Sequence, residues 1–134
     1  MQRSGLTVRR GDSYMSPVWA IVLDAQPVDL TDGWTVRAQL RDRDDAVVVD
    51  FGATSGTSIV LGTAGVEVGS NQITTSTIRL YLSAEATSLL RPRAQLPFDI
   101  EIEHPTFGPL GDLFRVTVVS DMITVFGDVT RAAS

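Results

Sequence analysis

His104 is the only histidine of the 134-residue chain and the first candidate for acid–base chemistry. A general base needs an orienting partner and a target within hydrogen-bond reach. His104 stands at the end of an alternating stretch, directly before Pro105, and no Ser-His-Asp order can be built around it. A structural role is expected. Asp99, Glu101 and Glu103 offer carboxylates that could be paired for glycoside chemistry. Their spacing of two puts all three on one outward face of a strand. Arg37, Arg41 and Arg79 fall on outward faces of strands read as neighbours, so cross-strand ion pairs account for both sets.

Asp42, Asp44 and Asp45 resemble part of a calcium loop but lack the glycine and the terminal glutamate that such a loop requires. A solvated hairpin tip is the simpler reading. Gly62, Gly65 and Gly69 have phosphate-loop spacing but precede no helix. Trp19, Trp34 and Tyr81 could line a sugar platform. Trp34 falls on a core face, whereas Trp19 lies in an apolar run and is the aromatic expected to anchor an interface. No catalytic residue, metal ligand or cofactor site emerges.

The elements that carry these residues read as strands. Pro27 to Arg41 is a turn rich in Asp and Gly, followed by alternation of Trp34, Val36, Ala38 and Leu40 with polar neighbours. It is expected to be the central core strand. Leu6 to Arg10 forms a short first strand. Pro17 to Leu23 is apolar throughout, as in a strand covered on both faces or shared with a partner. Val47 to Phe51 returns from the Asp42–Asp45 tip. Short strands are expected at Ser58–Leu61 and Val66–Val68. Gln72 to Leu82 and Phe98 to Glu103 alternate clearly, and Phe114–Val119 and Met122–Phe126 read as two strands around Ser120-Asp121. Ser83 is placed to cap a single short helix ending before Pro92, with Leu89 and Leu90 closing the core. Strands at this spacing predict an all-β sandwich of about seven to nine strands, with a closed barrel as the alternative that alternation alone does not separate.

The chain length fits one domain with its own core. Hydrophobic residues make up 43% and charged residues 20%, the balance of a globular protein. The absence of cysteine excludes a disulfide framework and thiolate metal sites. No apolar run approaches the roughly 20 residues of a membrane helix, and the first residues lack the apolar region of a secretory signal. All eleven basic residues are arginine and the net charge is −5. An acidic chain without a basic stripe is a poor partner for nucleic acid, and no membrane partner is expected.

One ordered series of motifs stands out. Gly11-Asp12 follows the first strand, then come an apolar strand, PVDLTDGWTVRAQLRD from Pro27 to Asp42, and a long middle hairpin. TIRLYLSAEATSLL runs from Thr77 to Leu90, PFDIEIEH from Pro97 to His104, and ITVFGDVTR from Ile123 to Arg131. This resembles the small immunoglobulin-like modules of bacteriophage tail and baseplate proteins, and is similar in particular to the N-terminal module of upper baseplate proteins. Phe98 stands where a tyrosine is usual, and the Gly62–Asn71 hairpin is longer than the pattern implies. The resemblance implies one immunoglobulin-like β-sandwich over residues 1–134, with an N-terminal arm at 1–10 and a C-terminal tail at 127–134. It further implies a structural virion protein, made in the host cytoplasm, with other virion proteins as partners and a homo-oligomeric assembly. It implies no enzyme activity and no cofactor. Trp19, Val18, Ile21, Arg9, Arg10, Val129 and Arg131 are the candidate interface residues.

Overall fold

The computed structural model describes residues 6–127. Val129 and Arg131, and most of the proposed terminal arm and tail, lie outside the described residues.

Among the described residues, eleven strands and one short helix follow in chain order. They are β1 (Leu6–Arg9), β2 (Tyr14–Met15), β3 (Trp19–Ala20), β4 (Val22–Leu23), β5 (Gln26–Pro27), β6 (Thr35–Arg41), β7 (Val47–Asp50), β8 (Thr57–Val68) and β9 (Asn71–Leu82). Then come α1 (Ala84–Ser88), β10 (Gln95–His104) and β11 (Phe114–Phe126). The all-β expectation holds. The strand count exceeds seven to nine because four two-residue strands divide the N-terminal third.

One sheet has the order β1-β11-β10-β6-β7. Its alternation is cleanest in β10, where Leu96, Phe98, Ile100 and Ile102 are buried and Pro97 and Asp99 are exposed. Hence the middle strand is β10, not the expected 34–41 stretch; β6 lies between β10 and β7. The second sheet is built on β9, which pairs with β8 along one side and with β2 and β3 along the other. Ile78, Leu80 and Leu82 of β9 join Ala38, Leu40, Phe98, Ile100, Ile123 and Val125 in one buried cluster. Trp19 reaches that cluster from β3 and packs on Phe98 with ring centroids 5.8 Å apart.

Several sequence expectations change. Pro17–Leu23 is not one strand. It breaks at Ile21, and Asp24 and Ala25 then turn the chain with φ of 54° and 62°, a pair of positive values typical of a tight hairpin turn. The segment is held to β9 by side chains. Val28 N–H donates to Thr75 Oγ1 at 2.9 Å, the Thr75 hydroxyl donates to Ile21 O, and Leu30 N–H donates to Ser76 Oγ at 2.9 Å. These bonds explain why Thr75 and Ser76 are buried.

The two short strands expected at 58–61 and 66–68 are one strand, β8, paired with β9 over twelve positions without a bulge. Gly62 and Gly65 do not interrupt it, because each continues the ladder opposite a threonine of β9. Likewise Ser120-Asp121 is no turn; β11 runs straight through it and pairs with β10, which supplies the missing partners. A bulge leaves Val118 without a direct partner between Val119 and Thr117.

The helix is as read. Ser83 Oγ accepts from Ala86 N–H at 3.1 Å, and Glu85 sits in the first turn. Leu90 is buried at 2% exposure, but Leu89 is 84% exposed and closes nothing.

Candidate functional site: interaction surfaces

The residues singled out for chemistry are committed to structure. Arg115 Nε donates to Glu103 Oε1 at 3.0 Å and lies 3.9 Å from Glu101, which also faces Arg37 at 3.8 Å. The outward face of β11, β10 and β6 is therefore an ion-pair ladder. Of the three arginines assigned to it, Arg37 belongs there. Arg41 bonds Gln39 and pairs with Asp45. Arg79 is in the other sheet, with its Nε on Ser16 O at 2.8 Å. Ser120 Oγ donates to Asp99. Asp42 Oδ1 accepts from Asp44 and Ala46 N–H at 2.9 and 3.0 Å, the bonding of an Asx turn. Among the described residues no group of three or more His, Asp or Glu side chains is arranged to hold a metal ion. No helix there is long and apolar enough to cross a membrane.

His104 belongs to an aromatic cluster at one end of the first sheet. Its Nδ1 accepts from Thr106 N–H at 3.2 Å, and its ring meets Trp34 edge-on at 5.1 Å. Phe107 packs on Trp34 at 5.0 Å and on Phe114 at 5.1 Å. The spacing expectation that Trp34 points inward holds only in part, since the ring is half-buried at the sheet end. Phe107 remains 51% exposed, beside the exposed Leu110 and Leu113 of the 105–113 loop. This cluster was not legible from spacing, because Phe107 and His104 sit in or beside a loop and only the fold brings them to Trp34. No ring contact joins Trp19, Trp34 and Tyr81 among the described residues, so these three do not form a platform.

The candidate interface residues scatter. Val18 is exposed, Ile21 is core, and half-buried Trp19 packs on Phe98. Arg9 is exposed, and Arg10 donates from Nη2 to Ser88 O at 2.7 Å.

A different surface has the form of a docking edge. Leu80 and Ser76 turn their backbone groups away from β8. Ser16 N–H donates to Leu80 O at 2.9 Å, and Ser76 N–H donates to Val28 O at 2.9 Å. In an antiparallel ladder the residues opposite them then form the non-hydrogen-bonded pairs. Ile59 faces Leu80 and Thr63 faces Ser76. By alternation Ile59, Leu61, Thr63, Gly65 and Glu67 aim N–H and C=O at the outer edge of β8. No strand pairs with that edge among the described residues. Val60 and Leu61, each 42% exposed, lie at its centre. Beyond Ser76 the hairpin continues to its tip with Val66 opposite Ile73.

No protein-family model matches the chain, and no curated protein matches it significantly.

Proposed function

We propose that this chain is an immunoglobulin-like β-sandwich serving as a structural component of a bacteriophage virion, a minor tail or baseplate protein that docks to other virion proteins. The carrying observation is the motif series, whose members fall on successive elements of the fold. Pro27–Asp42 runs from the end of β5 through β6, Thr77–Leu90 covers the second half of β9 and α1, Pro97–His104 is most of β10, and Ile123–Phe126 ends β11. Two sheets sharing one core agree with a sandwich. The open β8 edge and the apolar 105–113 loop supply surface that assembly would bury. The engagement of His104, Glu101, Glu103 and Asp42 in structural contacts supports a part without catalytic activity.

Quantitative mass spectrometry of gradient-purified particles of the phage encoding the chain tests this reading. A fixed, low copy number per particle is the expected result. Far higher numbers favour the capsid decoration or head-to-tail alternative, and absence from particles rejects all three. Exposed Phe107 on the Trp34–Phe114 cluster favours one further reading, a carbohydrate- or receptor-binding module. Glycan binding that is lost in Phe107→Ala would put that reading first.

A further inference from the structure

We infer that the β8 edge pairs with the β8 edge of a second copy of this chain, antiparallel about a two-fold axis near Gly62 and Thr63. The inference rests on this edge alone and does not require the virion reading.

Edge strands of monomeric proteins are blunted by shortness, charge, proline or bulges. In the first sheet the outer strands β1 and β7 have four residues each, and a bulge adds Val48 where β7 meets β6. Of these devices β8 has only a single charge. It is twelve residues long, runs without a register shift, and contains no proline, no basic residue and one charge, Glu67.

The same strand is its own complement. A two-fold axis at Gly62 sets Leu61 against Thr63 and Ile59 against Gly65; Glu67 then faces Thr57, whose N–H already bonds Thr54 O. An axis at Thr63 sets Leu61 against Gly65 and Ile59 against Glu67. Both registers match outward-aimed backbone groups with outward-aimed groups, as an antiparallel ladder requires. In both, Glu67 faces an uncharged residue, so the like-charge opposition that penalises sheet pairing is absent. No cluster of charge along β8 selects a charged partner. A two-fold pairing consumes the edge in both copies and closes the assembly as a dimer.

The test uses the purified chain, so its result is independent of where the protein sits in a particle. Light scattering across a concentration series is expected to show a monomer passing to a dimer. Hydrogen exchange resolved by residue is expected to show Ile59, Leu61, Thr63 and Gly65 amides protected at high concentration and open on dilution. Thr63→Pro removes an outward N–H and no β8–β9 bond; Leu61→Lys puts a charge at the centre of the edge. Each is expected to weaken dimerisation by about tenfold or more with an unchanged circular dichroism spectrum. A monomer at every concentration overturns the inference. So does a dimer that leaves those amides open or survives Leu61→Lys, and so does protection that appears only when a different protein is added.

Discussion

Gly33 stands against the imidazole of His104: a Cβ on Gly33 would lie 2.6 Å from Nε2. The close approach seats the ring edge-on to Trp34, while Thr106 N–H holds Nδ1 from the other side. Gly33 also has φ of +83°, where side chains are strained. Gly33→Ala combines both costs and is expected to destabilise the fold by about 1–3 kcal/mol. Denaturant unfolding of the variant checks this. His104→Ala in the Gly33→Ala background separates the two costs, since it relieves the clash and leaves the strain.

Thr87 is the polar hub between α1 and the N-terminal segment. Its buried hydroxyl accepts from Gly11 N–H at 3.0 Å and reaches Asp12 O at 2.8 Å. Thr87→Val keeps the shape and removes the acceptor of the Gly11 N–H, which sits on an exposed residue and can turn to water. The expected loss is about 0.5–1.5 kcal/mol, the net worth of a hydrogen bond. Thr87→Ser retains the hydroxyl and should lose less. Comparing the two denaturation midpoints is the check.

Much of this fold can be read from alternation. β6, β9 and β10 announce themselves because one face is buried and the other wet, and Ser83 announces the helix by its cap. What alternation does not give is the continuity of long strands. β8 passes through Gly62 and Gly65, and β11 through Ser120-Asp121, because neighbouring strands supply partners that override local turn preference. The surfaces were hidden for a related reason. Whether an edge is open depends on what the rest of the chain leaves uncovered, and Phe107 meets Trp34 only through folding. The polar run Thr74–Thr77 looks solvated in sequence, yet Thr75, Ser76 and Thr77 are buried. For Thr75 and Ser76 the reason is that they bond the 21–30 segment.

Tyr14 provides a pH signature. Burial of its phenol, with a smaller contribution from the Asp121 charge, pushes its pKa up to about 12 from 10.0. Its buried hydroxyl has no hydrogen-bond partner among the described residues. The folded state thus holds the proton more tightly than the unfolded chain. This contribution to stability is complete below pH 10.0 and is lost as pH rises toward about 12. Spectrophotometric titration of native protein should show Tyr14 ionising about two units above a free tyrosine. Tyr14→Phe should remove that late step and reduce the loss of stability over the same window. Ionisation of Tyr14 near pH 10 in the folded protein would contradict the assignment.

Leu89 and Leu90 are adjacent in sequence and opposite in environment. Leu90 N–H donates to Thr87 O as the helix closes, and its side chain enters the core at 2% exposure. Leu89 points to solvent at 84% exposure. Leu90→Ala removes buried methyl groups and leaves a cavity, so it is expected to cost about 2–5 kcal/mol. Leu89→Ala removes only exposed surface and should stay within about 0.5 kcal/mol of the parent. The pair distinguishes this helix orientation from one rotated by a single residue, in which the two costs would exchange. Urea midpoints for both variants at one protein concentration read the difference.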